Sequence, residues 1–256
     1  MHHQTSPKDL SRFAEPTTRP RFLAFDIETG AADGIESLIP PFDPSEVKVG
    51  NMKDPALIAA KVAAAEAAHR ANFISSAALA PESGKVLAIG YAVIGDEGSP
   101  AVDFKAAVGD EREILGEFWG LVRDSFQGRS ERTLFVGFNS REFDLPFLVA
   151  RSWILGVSVP PVYQLRGRYP NWSSVFIDLR DLWVLGRNSG RSNLDTVARA
   201  LTGQGKSGSG ADFAADLASN PEQAIAYLRT DLELTCAVAV KMGFGALVSN
   251  QSEVVE

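Results

Sequence analysis

The sequence of 256 residues has very little cysteine and no long hydrophobic run. Cys236 is the only cysteine, which excludes an intramolecular disulfide and a cysteine zinc cluster. The most apolar run, residues 86–95, is far too short to cross a bilayer, so no membrane span is expected. Residues 1–20 lack the apolar core of a signal peptide. These absences favour a protein of the reducing cytoplasm.

Positive charge is also in short supply, because 25 lysines and arginines stand against 32 acidic residues and leave a net charge of −7. Such a balance argues against a nucleic-acid partner. The segment 151–206 is different, since its basic residues outnumber its acids. The basic residues are Arg151, Arg166, Arg168, Arg180, Arg187, Arg191, Arg199 and Lys206, and the acids are Asp178, Asp181 and Asp195. This segment is either a solvated surface or a place where phosphates bind.

Hydrophobic periodicity predicts strands that are followed by helices. The predicted strands span 21–27, 85–95, 101–107, 133–139 and the start of 174–186. The predicted helices span 54–73, 110–126, 144–156, 193–203 and 221–243. Asp54 is the expected cap of the first helix, and Ser192 or Asn193 is that of the fourth. This order is typical of an α/β fold with a mixed sheet and helices on both faces.

We predict one domain, residues 21–245, between an N-terminal tail of residues 1–20 and a C-terminal tail of residues 246–256. Residues 31–84 are interpreted as an insertion on the rim of that domain, because a Pro-rich stretch is followed there by an alanine-rich helix. The glycine- and serine-rich stretch 203–210 predicts a flexible loop that is too short to link two domains.

Four carboxylates stand where the predicted elements could bring them together. Asp26 and Glu28 lie two residues apart at the end of the first strand, so their side chains share a face. Asp144 opens the helix after the strand "TLFVGFN", and Asp231 lies within the last helix. Tyr227 precedes Asp231 by one helical turn, so the two side chains project from the same side. Crowded, partly buried carboxylates are costly unless a cation lies between them, and a divalent ion is the usual one.

Each of these residues also has a structural interpretation. The strand end could simply emerge into solvent. Asp144 could be a helix N-cap, and Asp231 could be an exposed helix acid. Tyr227 could be a core residue with a hydrated hydroxyl group.

Taken together, three motifs resemble those of a known superfamily. "FDIETG", "VGFNSREFDLPFL" and "YLRTDLELT" occur in the order found in the DEDD superfamily of 3′–5′ exonucleases, and the third resembles the tyrosine (DEDDy) form. The segment between the second and third motifs is similar to that of stand-alone bacterial and phage exonucleases related to the proofreading domain of family B DNA polymerases. The resemblance covers about residues 21–243. The long insertion after Thr29 departs from the minimal members, and its role is open.

The placement of histidine distinguishes two branches of that superfamily. A sister branch has a histidine near the third motif to handle the attacking water. Here the histidines are His2, His3 and His69, all far upstream, and Ala226 precedes Tyr227. The tyrosine form is therefore the one that remains.

The resemblance implies a ribonuclease H-like mixed five-stranded sheet with helices on both faces and a helical insertion after the first strand. It also implies an enzyme that hydrolyses single-stranded DNA from the 3′ end to nucleoside 5′-monophosphates with two metal ions. Carboxylate oxygens are hard ligands that suit Mg²⁺ or Mn²⁺ and not zinc. The implied cofactors are thus two Mg²⁺ or Mn²⁺ ions.

By the same resemblance, Asp26 would bridge both ions, and Glu28 and Asp231 would help to hold the ion that activates water. Asp144 would act on the second ion, directly or through water, and Tyr227 would orient the attacking water. The candidate substrate-binding residues are Asn139, Phe143 and Lys206, together with the arginines between 166 and 191. Phe143 could instead be a core residue.

Three alternatives stay open at the level of sequence. The first is a 3′–5′ exoribonuclease, since no residue can be identified that would sense the 2′-OH of RNA. The second is a catalytically silent nucleic-acid-binding module, and the third is an α/β scaffold protein whose acids are all structural. The expected partner is the 3′ end of single-stranded DNA or RNA. No membrane partner is expected. The remaining residues leave no room for a polymerase, so the protein would act alone or with a DNA polymerase in trans.

Overall fold

The computed structural model describes residues 20–126, 133–160, 175–185, 192–206 and 210–245. Five strands form one sheet within these residues. They are β1 (Arg21–Ala31), β2 (Gly84–Ile94), β3 (Ala101–Val108), β4 (Thr133–Gly137) and β5 (Phe176–Asp178). The order across the sheet is β3-β2-β1-β4-β5. β1 pairs antiparallel with β2 and parallel with β4, so the sheet is mixed, as predicted, and β1 is its central strand.

Helices cover both faces of this sheet, which confirms the predicted α/β class. They are α1 (Pro55–Ala77), α2 (Glu111–Phe126), α3 (Asp144–Leu155), α4 (Leu179–Val184), α5 (Leu194–Thr202), α6 (Phe213–Ser219) and α7 (Pro221–Ala239). The sequence pattern did not predict α6, which is only two turns long. Over the part of the chain that is described, none of these helices could span a membrane.

The ends of the helices follow local chemistry. The side chain of Asp54 accepts a hydrogen bond from the backbone of Ala56 at 2.9 Å and caps α1, as predicted. Of the two candidate caps of α5, the structure selects Asn193, whose side chain accepts from the N–H of Thr196 at 2.8 Å. Gly156 ends α3 in the left-handed conformation, with φ of 70°.

Two hydrophobic cores lie on the two faces of the sheet, and β1 contributes to both. Phe25 and Ile27 point into a core shared with α2 and α3. Ala24 belongs to the other core, which is shared with α5, α6 and α7. Because side chains alternate along a strand, Asp26 and Glu28 lie on the same face as Ala24. The two carboxylates are therefore directed toward the helical layer that contains α7.

A close contact between β2 and α7 sets the distance between the sheet and this helical layer. Gly90 is the residue of β2 that pairs with Asp26. A Cβ atom added at Gly90 would lie 2.6 Å from Leu232 and 2.8 Å from Leu228, both on α7. Only glycine lets the helix approach the sheet this closely, and the approach brings Asp231 toward β1.

The segment between β1 and β2 has little buried surface. Of the residues in α1 only Ala77 is buried. His69 contacts the carbonyl of Pro40 at 3.0 Å, and Lys61 donates to the carbonyl of Lys48 at 2.7 Å, so the irregular stretch before α1 packs along the helix. The interpretation of 31–84 as an insertion on the rim stays a prediction. Almost all of the residues assigned to the two tails lie outside the described ranges.

Candidate active site

Three carboxylates meet where β1 approaches α7. One carboxylate oxygen each from Asp26, Glu28 and Asp231 lies within 4.8 Å of the other two. Glu28 is 8% exposed and Asp231 is 2% exposed. The strand end does not simply emerge into solvent, and Asp231 is not an exposed helix acid. The regular pairing of β1 with β2 shifts between Glu28 and Thr29, so a bulge follows the cluster directly.

Asp144 reaches the same strand from α3. Its Oδ1 accepts a hydrogen bond from the backbone N–H of Ile27 at 3.2 Å, between the two carboxylates of β1. The pairing of β4 with β1 ends at Ala24, and Asp144 satisfies the strand backbone beyond that point. The N-cap residue of α3 is Phe143, and Asp144 is the first residue of the helix. Its buried carboxylate interacts with its own backbone N–H at the helix start as well as with the N–H of Ile27 on β1.

Tyr227 lies one turn before Asp231 on α7, and its ring is partly buried. A Cβ atom added at Gly210 would lie 3.4 Å from Oε2 of Glu28 and 3.5 Å from the hydroxyl oxygen of Tyr227. The backbone at Gly210 therefore passes beside both groups. Glycine at this position leaves room between the carboxylate and the phenol.

The carboxyl groups of the cluster have raised pKa values, because they are buried together with too little positive charge nearby. Burial, followed by the charge of Asp231, raises the pKa of Asp26 from 3.8 to about 7. Burial, followed by the charges of Asp26 and Asp231, raises the pKa of Glu28 from 4.5 to about 9. Burial and the charge of Asp26 raise the pKa of Asp144 well above its ordinary value. A bound cation is the group that would reverse these shifts.

Lys206 supplies one positive charge to the cluster. Its Nζ lies 2.5 Å from Oδ2 of Asp231. The other oxygen, Oδ1 of Asp231, is buried and has no hydrogen-bond partner among the described residues. The structure thus places Lys206 on a carboxylate, and its predicted contact with a substrate phosphate stays a prediction.

The residues of this cluster fit a divalent cation with oxygen ligands. Asp26, Glu28 and Asp231 present carboxylate oxygens close together. One of these residues, Asp231, has a buried Oδ1 atom with no hydrogen-bond partner among the described residues. A buried acceptor without a partner is costly, and an ion would satisfy it. The chemistry of the donors, three carboxylates without nitrogen or sulfur, favours a hard ion.

Asn139 lies at the same edge of the sheet, directly beyond β4. Its backbone is in the left-handed region with φ of 64°, and its side-chain Oδ1 accepts a hydrogen bond from Arg180 at 2.9 Å. The two residues line a cleft of 420 Å³ together with Phe138, Ser192, Asn193 and Leu194. β1, β4 and β5 are parallel, so this cleft lies beyond the carboxyl ends of β4 and β5, and Asp26 and Glu28 lie on β1 just beyond Ala24, where its pairing with β4 ends.

Asp178 is a buried residue whose role the sequence analysis missed. It ends β5 and accepts hydrogen bonds from the backbone N–H groups of Asn139 at 3.0 Å, Arg141 at 2.8 Å and Arg180 at 2.9 Å. It therefore fixes the loop after β4 to the start of α4. An acid at the junction of a strand and a helix was the available signal, but the analysis counted it only as charge.

The other candidate substrate contacts and the other arginines of the basic segment 151–206 divide into three groups. Phe143 is partly buried against the α2–α3 core, with its ring 5.7 Å from that of Phe147, which fits the packing interpretation. Arg151 is buried in a two-bond ion pair with Glu111, and Arg199 pairs with Asp195 on α5. The predicted phosphate-binding residues Arg166, Arg168, Arg187 and Arg191 lie outside the described residues.

The structure is that of an α/β protein with a cluster of carboxylates. A comparison with protein families identifies this class of protein with nucleases. Residues 79–246 match the model of a family described as "Predicted 3'-5' exonuclease related to the exonuclease domain of PolB". The match spans more than half of the chain, so the protein belongs to this family. Asp26 and Glu28 precede the matched residues, and the fold brings them to Asp231. No curated protein matches the chain.

A solved structure supports the fold. The chain is similar to the family B DNA polymerase from the hyperthermophilic archaeon Pyrobaculum calidifontis, with a TM-score of 0.51 and 19% identity. The similarity covers 88% of this chain and 25% of the polymerase chain, so the protein spans about a quarter of the length of that polymerase. The predicted ribonuclease H-like fold is confirmed by this neighbour.

Proposed function

We propose that this protein is a 3′–5′ exodeoxyribonuclease that removes nucleoside 5′-monophosphates from the 3′ end of single-stranded DNA with the help of two divalent metal ions. The observation that carries the proposal is the convergence of Asp26, Glu28 and Asp231 within 4.8 Å on the face of β1 that meets α7. Membership in a family of predicted 3′–5′ exonucleases supports the class of reaction. DNA as the substrate and two ions as the cofactor are the finer parts of the proposal.

Asp26, Glu28, Asp144 and Asp231 would hold Mg²⁺ or Mn²⁺. When bound, such ions lower the pKa of water and neutralise charge on the phosphate under attack. The carboxyl groups of Asp26 and Glu28 have pKa values of about 7 and 9 in the metal-free protein. Binding of the ions at neutral pH therefore has to displace protons from these groups.

Tyr227 would act through its hydroxyl group. Burial, followed by the charges of Asp231 and Glu28, raises the pKa of Tyr227 above its ordinary value of 10.0. Without bound metal the residue is thus a neutral phenol at neutral pH, and in that form it can orient a water molecule by hydrogen bonding. The hydroxyl of Tyr227 and Oε2 of Glu28 both lie near the backbone at Gly210, so the two groups could act on the same water molecule.

The cleft lined by Asn139 and Arg180 would receive the end of the DNA strand. It lies at the carboxyl ends of β4 and β5, beside the carboxylates of β1. Asp178 holds the backbone of both residues in place, so the cleft has a fixed wall. Lys206 remains a candidate substrate contact. A DNA polymerase that supplies mispaired 3′ ends in trans is the partner that we propose.

The test uses purified protein with 5′-labelled single-stranded DNA and with RNA of the same sequence. Each is incubated with Mg²⁺, with Mn²⁺ and with EDTA. We expect a descending ladder of labelled DNA products with either metal, none with EDTA, and slower cleavage of RNA. RNA cleaved as fast as DNA would favour the exoribonuclease alternative.

Polarity is tested with blocked and circular substrates. A 3′-terminal phosphate should slow hydrolysis, and a block at the 5′ end should have no effect. Asp231→Asn serves as the inactive variant, and Lys241→Met, which removes an exposed ion pair with Glu97, serves as the active control. Closed circular DNA that is digested as fast as linear DNA would contradict an exonuclease.

A further inference from the structure

Lys206 interacts with several residues of the acidic cluster. Its Nζ is 2.5 Å from Oδ2 of Asp231, and the side chain of Asp231 is only 3% exposed. The ammonium group also lies 6.0 Å from the ring centroid of Tyr227. Its charge opposes the effect of burial on both Asp26 and Glu28. One lysine thus acts on all three clustered carboxylates.

The backbone that carries Lys206 is held in place by α5. The N–H of Lys206 donates to Oδ1 of Asp195 at 2.7 Å, and Asp195 is paired with Arg199 at 3.0 Å. A Cβ atom added at Gly205 would lie 2.4 Å from the guanidinium group of Arg199 and 2.5 Å from Oδ1 of Asp195. Glycine at this position lets the chain pass close to these two side chains of α5 without moving them. The position of the lysine is built into the fold.

Only one of the two oxygens of Asp231 is satisfied by this arrangement. Oδ2 accepts from Lys206, while Oδ1 is buried without a partner among the described residues. A metal ion that binds Asp231 can use the unpartnered oxygen, but it then brings its charge next to the ammonium group of Lys206. Two cations that share one carboxylate oppose each other's binding.

We propose that Lys206 is the built-in counter-ion of the metal-free site and that it competes with the metal ion for Asp231. The inference rests on the metal site of the proposed function. It assigns two opposite effects to one residue: Lys206 stabilises the metal-free fold, and it weakens metal binding. When the ion displaces it from Asp231, its ammonium group becomes available to a substrate phosphate.

The experiment measures metal affinity and metal-free stability, and neither depends on hydrolysis. Mn²⁺ binding is followed by isothermal titration calorimetry, and the melting temperature is measured in EDTA. We expect Lys206→Met to bind Mn²⁺ about tenfold more tightly than the wild type, within the range usual for coupled sites, and to melt at a lower temperature in EDTA. Lys206→Arg keeps the charge and should restore both properties.

The matched control is Lys241→Met, which removes an exposed lysine from its pair with Glu97 at 2.9 Å, away from the cluster. It should leave Mn²⁺ affinity unchanged. A second variant, Asp195→Ala, releases the backbone of Lys206 without touching the carboxylates of the cluster. It should change Mn²⁺ affinity in the same direction as Lys206→Met but to a smaller extent, and it serves if Lys206→Met does not fold.

The outcomes separate this inference from the proposed function. Wild-type protein that binds no Mn²⁺ would overturn the metal site and both proposals with it. Wild-type protein that binds Mn²⁺, with equal or weaker binding by Lys206→Met, would overturn the counter-ion alone. A purely structural lysine would lower the melting temperature equally with and without Mn²⁺, and that result too would overturn the competition.

Discussion

The two faces of β1 have opposite chemistry although they are separated by a single peptide chain. On one face, the ring of Phe25 lies 5.5 Å from that of Phe118 and 5.9 Å from that of Phe176, within a dry aromatic cluster. On the other face, Asp26 and Glu28 meet Asp231 of α7. The strand therefore joins an aromatic part of the core to a group of crowded carboxylates.

The comparison shows how a destabilising group can be held in place. Burial of carboxylates without a cation opposes folding, as the raised pKa values of Asp26 and Glu28 indicate. Packing of the aromatic face favours folding and fixes the strand. If the proposed function is right, the aromatic face carries stability and the acidic face carries reactivity, so substitutions on the two faces should have separable effects.

The largest effect is expected from Asp26→Ala. Loss of a carboxylate that would hold metal removes several kcal/mol of transition-state stabilisation, so hydrolysis should fall by about 10³-fold or more. The metal-free protein should keep its melting temperature or gain in stability, because one of the crowded charges is gone. Nuclease assays and thermal denaturation in EDTA measure the two halves. Normal activity would remove Asp26 from the site, and a lower melting temperature would count only against the stability half.

Phe25→Ala should lower the stability of the protein, in contrast to Asp26→Ala. Truncation of a fully buried phenylalanine costs about 3–5 kcal/mol of unfolding free energy, and urea denaturation measures it. The control is Trp153→Ala, because Trp153 is 60% exposed and its loss should change stability little. Equal losses in the two variants would mean that the aromatic cluster does not carry the stability of the strand.

Tyr227→Phe should separate chemistry from packing within the acidic face. The ring remains and only the hydroxyl group is lost, so single-turnover hydrolysis should slow by about 10²-fold, at the lower end of what positioning groups supply. DNA affinity should stay the same, because the hydroxyl group acts in the transition state. An unchanged rate with a stability loss of about 1 kcal/mol would instead identify Tyr227 as a core residue.

The most gradual effect, and the smallest per pH unit, is a pH dependence of the metal-free protein. The folded-state pKa of Asp26, about 7, exceeds its ordinary value of 3.8, so the folded protein binds more protons than the unfolded chain between these values. Stability should therefore fall as pH rises from about 4 to 7, by up to about 1.4 kcal/mol per pH unit for this group. Glu28 should extend the decline toward pH 9.

Denaturation in EDTA at several pH values tests this dependence. Asp26→Asn should make the decline below pH 7 shallower, with the contribution of Glu28 remaining, and added Mn²⁺ should reduce the decline in the wild type. Stability that rises between pH 5 and 7 in the wild type would contradict the pKa shifts. A decline that Asp26→Asn leaves unaltered would assign it to other groups.

Local patterns allowed much of the fold to be predicted. The strand β1, the Asp54 cap of α1 and the bounds of α3 depend on residues that are close in sequence, so their signals can be read directly. The four candidate metal-binding carboxylates were found because spacing and strand ends also are local features. Their convergence in the structure needed the sheet order, which the motifs implied only through resemblance.

The features that the sequence did not predict depend on contacts between distant residues. Asp178 is recognisable as a clamp only when the loop after β4 lies against it, and Lys206 meets Asp231 across 25 positions. The helix α6 is too short to show a clear period, and Gly90 differs from a flexible loop glycine only through its contact with α7. Charge counting cannot distinguish an arginine that is buried against Glu111 from one that is free to meet a phosphate.

Gly90 has a consequence for the size of the ion that the site selects. Asp231 and Tyr227 move together because both lie on α7, and Asp26 and Glu28 move together on β1, so the gap between these two pairs is set by how closely the helix packs on Gly90. Gly90→Ala should widen that gap and leave each pair intact. Mg²⁺ demands short ligand distances of about 2.0–2.1 Å, whereas larger ions tolerate longer ones. The variant should thus lose Mg²⁺-supported activity more than Mn²⁺-supported activity, and the ratio of the two rates measures it. The absence of a side chain at Gly90 would then determine which ionic radius the proposed metal site accepts.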